Sequence, residues 1–293
     1  MTSIPPAQTG IAPLTARKTW RTVEPMHGMI YFAPEAAASY ARLGLRAESG
    51  YFASRSAPMG AVVATTVVAT FFNFHRDLVT RAMDGLWKAV TPEAVLAARL
   101  EAADESLRRM LGEAVDSPEM ARAAGLARQA ALRATEQCAG RPLFAGHAEL
   151  AWPDAPHAVL WHAQTLLREF RGDGHIAALV VHDLDPIEAL VMHIASGDVS
   201  PSFLRTTRGW SDPEWAEGAA RLADRGWLEP LRGDTEAFTF SEEGSLVHQA
   251  IEDMTDQMAT LPYEAIGEEG CAELRTLVRP FSFTVVEAAG FGV

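Results

Sequence analysis

The sequence predicts a mainly α-helical protein that carries one small β-hairpin. Three observations point there. Apolar residues recur at three- and four-residue spacing along most of the chain. Five segments open with a capping residue followed within two positions by proline: Thr91-Pro92, Ser117-Pro118, Asp154-Ala155-Pro156, Asp185-Pro186 and Ser211-Asp212-Pro213. Proline in a first turn behind such a residue is a helix start. Only residues 228–244 read as strands, two short runs about Gly233-Asp234, which is a hairpin signal.

Taken in order, residues 1–19 read as a loose tail, with no compact apolar stretch behind a basic start and so no signal peptide. Residues 33–44 form a short alanine-rich helix stopped by Gly44. Residues 61–72 are apolar nearly all round, which predicts a central helix. Two long helices follow over 91–115 and 117–137; the first carries Val95, Leu96, Arg99, Leu100, Ala103 and Leu107 at helical spacing. A helix over 156–171 is expected to end at Gly172-Asp173-Gly174, with a new one starting at His175. Asp185 and Glu188 form a capping-box pattern. Helices from 211, over 245–261 and over about 266–278 complete the chain. The expected division is a tail (1–19), a helical domain (20–150) and a second domain (151–293).

The totals narrow the class. A chain of 293 residues with 48% hydrophobic and 22% charged residues folds around a sizeable core. No apolar run reaches the length of a membrane span; the best, 59–72, is followed by Asn73, His75 and Arg76. Cys138 and Cys271 are far apart and form no CxxC. A reduced, cytoplasmic setting is expected, and a zinc-thiolate site is not.

Between residues 185 and 260 the order is helix, helix, glycine turn, hairpin, long helix. That is the order of a winged helix-turn-helix. The stretches "ARLADRGWLEP", "FTFSEEG" and "IEDMTDQMATLPYEAIG" resemble the winged-helix part of MarR-type regulators. More broadly, "VEPMHGMIYFAPE", "GYFASRSAPMG" and "AWPDAPHAVLWHAQTLLREFRGDGH" resemble an actinobacterial family that carries a helix-turn-helix label. The resemblance implies a homodimer formed through terminal helices, and a ligand-responsive regulator as one function.

Charge argues against reading DNA. The net charge is −13. Residues 211–260 hold twelve acids against Arg221, Arg225 and Arg232. The would-be recognition helix opens with Asp212, Glu214 and Glu217, where base contacts normally start. Phosphate attraction is the floor on which specific binding is built, and it is missing here. Only Arg205 and Arg208 offer a local basic pair.

A different function is suggested by the helix at 156–171. Val159, Ala163, Leu166, Leu167 and Phe170 make one apolar face. His157, Trp161, Gln164, Arg168 and Arg171 make a second stripe opposite it. A polar stripe is ordinarily a solvated face. A tryptophan between a histidine and arginines instead calls for something packed over it, a helix or a ligand. The stripe runs into Asp173 and His175. Cations, an acid and an imidazole at one place suit a small anionic or polar metabolite stacked on Trp161, and a structural polar network is the alternative. Tyr51, Phe52 and Arg55 supply a second wall, which His27, Tyr31 and Phe32 can join, and His162 is a further ligand-binding candidate. His175 and His157 are the candidate proton shuttles, and Asp173 the group that orients a histidine.

Motifs for other chemistries are absent: HExxH, GxSxG, GxxxxGK[ST] and GxGxxG do not occur. A haem or metal held by His27, His157, His162 or His175 has no support from spacing, so no cofactor is expected. The sequence therefore points to a small-molecule-binding protein on a winged-helix scaffold. An acid–base enzyme and a regulator are the narrower readings.

Overall fold

The computed structural model describes residues 10–231 and 234–289. The chain runs through α1 (Pro13–Gly28), α2 (Pro34–Arg42), α3 (Ala47–Ser56), α4 (Ala64–Phe71), α5 (Arg76–Met83), α6 (Leu86–Ala89), α7 (Pro92–Leu111), α8 (Pro118–Ala134), α9 (Pro142–Ala148) and α10 (Pro156–Val181). Next come α11 (Pro186–Ala195), α12 (Pro201–Thr207), α13 (Asp212–Asp224), β1 (Leu228–Leu231), β2 (Asp234–Phe240), α14 (Glu242–Met258) and α15 (Gly267–Ala289). Among the described residues the protein is mainly α with one antiparallel hairpin. Gly233 and Arg232 lie outside the described residues, as do residues 1–9. Residues 13–19, expected in the tail, are instead the first turns of α1.

Side-chain capping starts several of the helices. Thr91 accepts the amide of Ala94 at 3.3 Å, and Ser117 that of Met120 at 3.1 Å. Asp185 with Glu188, and Ser211 with Glu214, close full capping boxes. Asp154 takes no such role, because Ala155 occupies the cap position of α10.

Two apolar cores divide within α10. The first gathers α1 to α9, the front of α10 as far as Phe170, and α15. The second gathers the end of α10 from Ala178, the three helices α11 to α13, the hairpin and α14. Chain order would place α15 with the second unit, but it packs on α1, α7 and α8. The winged-helix unit is thus an excursion that leaves the first core through α10 and returns to it after α14. In its wing, Leu228 pairs with Phe240 and Pro230 with Phe238, and the register shifts between Pro230 and Leu231.

The central helix is α10. It is one unbroken helix of 26 residues, and residues 157–167 are buried without interruption. Residues 61–72 do not take this place. They give only the eight-residue α4, with Val63 before it exposed. A helix of that length spans about 12 Å, whereas α10 is long enough to pack on α1, α7, α8, α9 and α14.

The expected corner at Gly172-Asp173-Gly174 does not exist. Neither glycine has positive φ, and both lie inside α10. Gly174 is there for a close approach: a Cβ would meet Nη1 of Arg141 at 2.8 Å. That guanidinium lies across the helix. It donates to the carbonyls of Phe170 at 2.6 Å and Met258 at 3.2 Å, and stacks 3.8 Å from the Phe170 ring centre. At Gly172 a Cβ would meet nothing closer than 3.7 Å.

The turn of the helix-turn-helix is docked on the first core. His75 N–H donates to the Arg208 carbonyl at 2.9 Å, and the Trp210 indole donates to the Asn73 carbonyl at 3.0 Å. His75 Nε2 also meets Glu214 at 3.2 Å, at the start of α13. Gly209, at φ +80°, lets the turn pass Leu78, whose Cβ would lie 3.0 Å from an added Cβ.

The two glycines of α10 should therefore respond oppositely to alanine. Gly172→Ala gains helix propensity and should raise stability by up to about 1 kcal/mol. Gly174→Ala displaces Arg141 and should lower it. Urea unfolding of both variants checks this; equal gains would show that Arg141 does not need the space.

Candidate functional site

Where α10 passes between the cores, a cavity of about 520 Å³ opens. Its floor is the stretch of α10 from Arg168 to His175. The first core contributes Tyr51 and Arg55 from α3 and the Phe71–Phe74 segment; α11, the turn after α12 and α14 contribute His193, Arg208 and His248. Phe72, in this wall, has φ +50°. A non-glycine residue held there costs on the order of 1–3 kcal/mol, and such strain gathers at ligand sites.

One side of the cavity is aromatic and cationic. The Arg55 guanidinium donates to the Tyr51 hydroxyl at 2.8 Å and lies 4.3 Å from the Phe71 ring centre. Among the described residues its one acid partner is Glu169, at 3.6 Å, which also binds Arg168 at 2.8 Å. Burial would raise the Glu169 carboxyl, but Arg168 and Arg55 outweigh it and hold the pKa down to about 2. Arg208 stands 4.6 Å from the Phe74 ring centre. It donates to the Thr207 hydroxyl at 2.7 Å, its Nε is buried without a partner, and among the described residues no carboxylate pairs with it. Burial, and then repulsion from Arg55 and Arg168, lower its proton affinity.

The other side holds histidines and acids. His175 Nδ1 meets the Thr255 hydroxyl at 3.0 Å, with Glu252 at 3.9 Å. Burial pushes the His175 pKa down to about 4, so it is neutral at pH 7. Asp173 accepts the amide of Phe144 at 3.0 Å in the first turn of α9. Burial raises its pKa to about 6. Arg171 spans to α14, with Asp256 at 2.6 Å and Glu252 at 3.3 Å. Removing one member of such a buried pair costs about 3–5 kcal/mol, so Arg171 is first a strut between the cores.

The residues singled out in the sequence thus fall into two groups. Tyr51, Arg55, Arg168, Arg171, Asp173 and His175 line the cavity. His27, Tyr31, His157, Trp161 and His162 do not; they lie against or within the first core. The middle of the stripe on α10, from Trp161 to Arg168, is covered by α1. Gln164 donates to the Trp20 carbonyl at 3.3 Å and to Glu24 at 3.1 Å, and Arg168 donates to Glu24 at 2.8 Å. His27 stacks on Trp161 with ring centres 6.1 Å apart. The Thr165 hydroxyl already donates to the Trp161 carbonyl at 2.9 Å. His27 Nδ1 must therefore donate to Thr165, at 2.8 Å, and Nε2 accept from the Tyr31 hydroxyl, at 2.9 Å. Burial, then Arg168 and Arg99, hold this imidazole neutral. His157 is fully buried and pairs with Asp104 at 2.6 Å. Trp152 packs edge-on against His162, whose pKa burial lowers to about 4.

Sequence reasoning missed Arg208 as a cavity group, and with it Arg99, Arg141 and His147. Arg99 did leave a signal, since it is a charge on the apolar face of α7. Among the described residues, no three His, Cys, Asp or Glu side chains gather to hold a metal ion, and no helix is long and apolar enough to cross a membrane.

With α11, α12, α13 and the wing in place, comparison over the whole chain agrees with the architecture. The chain belongs to a helix-turn-helix family. The match to that family runs over residues 16–292, so it takes in both cores and not just the winged-helix unit. No curated protein and no solved structure matches the chain. Within this helix-turn-helix protein, α13 occupies the recognition position. Its neighbouring bases are tied to acids: Arg205 to Asp212 at 3.2 Å, Arg221 to Asp185 at 2.5 Å and Arg225 to Glu188 at 3.5 Å.

Asp173 and His175 make opposite contributions to stability as pH changes. Asp173 is raised in the fold, so its contribution is full below about pH 4 and lost as pH rises through about 6. His175 is lowered, so its contribution is full above about pH 6.5 and lost as pH falls through about 4. Asp173→Asn should gain stability over wild type as pH rises from 4 to 7. His175→Gln should gain relative to wild type as pH falls over the same range. Urea midpoints measured across that range test both signs.

Proposed function

We propose that this helix-turn-helix protein binds a small anionic molecule with an aromatic or apolar body in the cavity between its two cores. Arg208 carries this reading. It is a largely buried cation facing a cavity, flanked by Phe74, repelled by Arg55 and Arg168, and without a carboxylate among the described residues. A buried cation in that position calls for an anion, and the surrounding rings offer an apolar surface to the rest of the ligand. Proton transfer on the ligand falls in this reading to Asp173 and His175, which line the cavity, and not to His157, which does not.

The protein purified from its own host should carry a small molecule visible by native mass spectrometry. It should also bind 2-naphthoate as a probe, and Arg208→Gln should weaken that binding at least about tenfold, or 1.4 kcal/mol. A bare wild-type protein that ignores 2-naphthoate, or an Arg208→Gln variant that binds it equally, would overturn the reading.

One observation favours a ligand-responsive regulator as a second reading: Val199 and Arg208, which bracket α12, form part of the cavity wall, so an occupant would press on the helix-turn-helix. Against it stand the acids at the start of α13 and the neutralised arginines around it. Wild type should therefore show no affinity for duplex DNA at physiological salt, while Asp212→Lys with Glu217→Lys should create salt-dependent affinity. Wild-type affinity that these changes weaken would favour the regulator.

A further inference from the structure

We propose that the first core contains a second, separate site, which binds a small monocarboxylate between Arg99, His147 and Trp161. Arg99 projects from α7 and is 2% exposed. Its Nη1 donates to the Ser54 carbonyl at 2.6 Å. Its Nε and Nη2 are buried and have no partner. Those two N–H groups form the edge of a guanidinium that grips both oxygens of a carboxylate. The Trp161 ring lies 5.4 Å from the Arg99 guanidinium carbon, and no carboxylate among the described residues makes an ion pair with it.

The groups around Arg99 lack partners in the same way. The Trp161 indole N–H, which can only donate, is buried and unpaired. So are both ring nitrogens of His147 on α9, and Nε2 of His162. Native interiors leave very few buried polar atoms unmatched; here Arg99 on α7 and His147 on α9 flank α10, which carries Trp161 and His162, and the Arg99 charge is felt by both histidines.

Charge decides between water and an anion. Among the described residues, the carboxylates paired with Arg55 and Arg168 are Glu24 and Glu169, and Glu169 also feels the Arg99 charge: two acids for three guanidiniums. His27, His147 and His162 add no charge, because burial and the nearby arginines keep them neutral. Water would satisfy the donors but leave one positive charge uncompensated in the core, which is costly. A formate- or acetate-sized anion satisfies both. Arg99, His147 and Trp161 do not line the cavity between the cores, so this site stands apart from the function proposed above.

The experiment titrates the exhaustively dialysed full-length protein with ¹³C-formate and ¹³C-acetate at constant ionic strength, reading bound anion by NMR and stability by thermal unfolding. Wild type should bind one equivalent and melt at higher temperature as the anion rises; chloride should do neither. Arg99→Gln should abolish binding. Trp161→Phe, which keeps the ring but removes the donor, should weaken it several-fold, and Arg208→Gln should leave it unchanged. Absence of saturable binding in wild type overturns the proposal. So does loss of binding in Arg208→Gln with retention in Arg99→Gln, which would place the anion in the other cavity. If Arg99→Gln does not fold, the Trp161→Phe affinity decides, and a wild-type value overturns the proposal.

Discussion

Burying a helix that carries charge on its second face is the constraint on which this fold depends. Through residues 157–167, α10 has no solvent side. Every polar group it holds there, and in the turns that follow, must meet a partner from another helix or lose its hydration uncompensated. The partners come from the start, the middle and the end of the chain: Glu24 and His27 from α1, Phe144 N–H from α9, Glu252 and Asp256 from α14. Each match fixes how one element sits against α10. Apolar packing alone would tolerate sliding; a guanidinium seated on two carboxylates does not. Arg171, held by Asp256 and Glu252, joins the two cores in this way, and the space left beneath that junction is the cavity.

The helix-turn-helix is consequently turned inward. Its turn spends its backbone and its Trp210 indole on the Asn73–His75 segment, and its Arg208 faces the cavity instead of an outer surface. The outward face of α13 bears acids. A fold of this kind hosts many functions, and the site rather than the fold has to carry the argument. The two proposed sites are places where, among the described residues, no carboxylate pairs with a buried arginine: Arg208 beside aromatic rings, and Arg99 by Trp161. They differ in place: one lines the cavity between the cores, the other is buried within the first core.

Local chemistry is legible in the sequence because it involves neighbours. Thr91, Ser117, Asp185 and Ser211 start the helices they were expected to start, since a cap acts within three residues. The single hairpin and the order of α11 to α14 follow from turn residues and periodicity. The acidic character of α13 needs no structure either, because charge composition survives folding unchanged. What failed locally was the glycine pair: glycine signals a helix end when its left-handed backbone is used, but Gly174 sits in α10 because Arg141, 33 positions earlier, crosses there.

The sequence by itself thus determined the helix starts, the wing, the charge of the recognition helix, and which side chains on α10 could not be ordinary surface. Tertiary structure alone decided what those side chains meet. It sent His27, Trp161 and His162 into the first core and left Arg55, Asp173 and His175 around the cavity. It also brought Arg208 and His147, far apart in the chain, to the two cation-rich places. The physical reason is range. Caps, turns and periodicity are set by residues within a turn or two, whereas partners for buried charge come from wherever the packed chain happens to return.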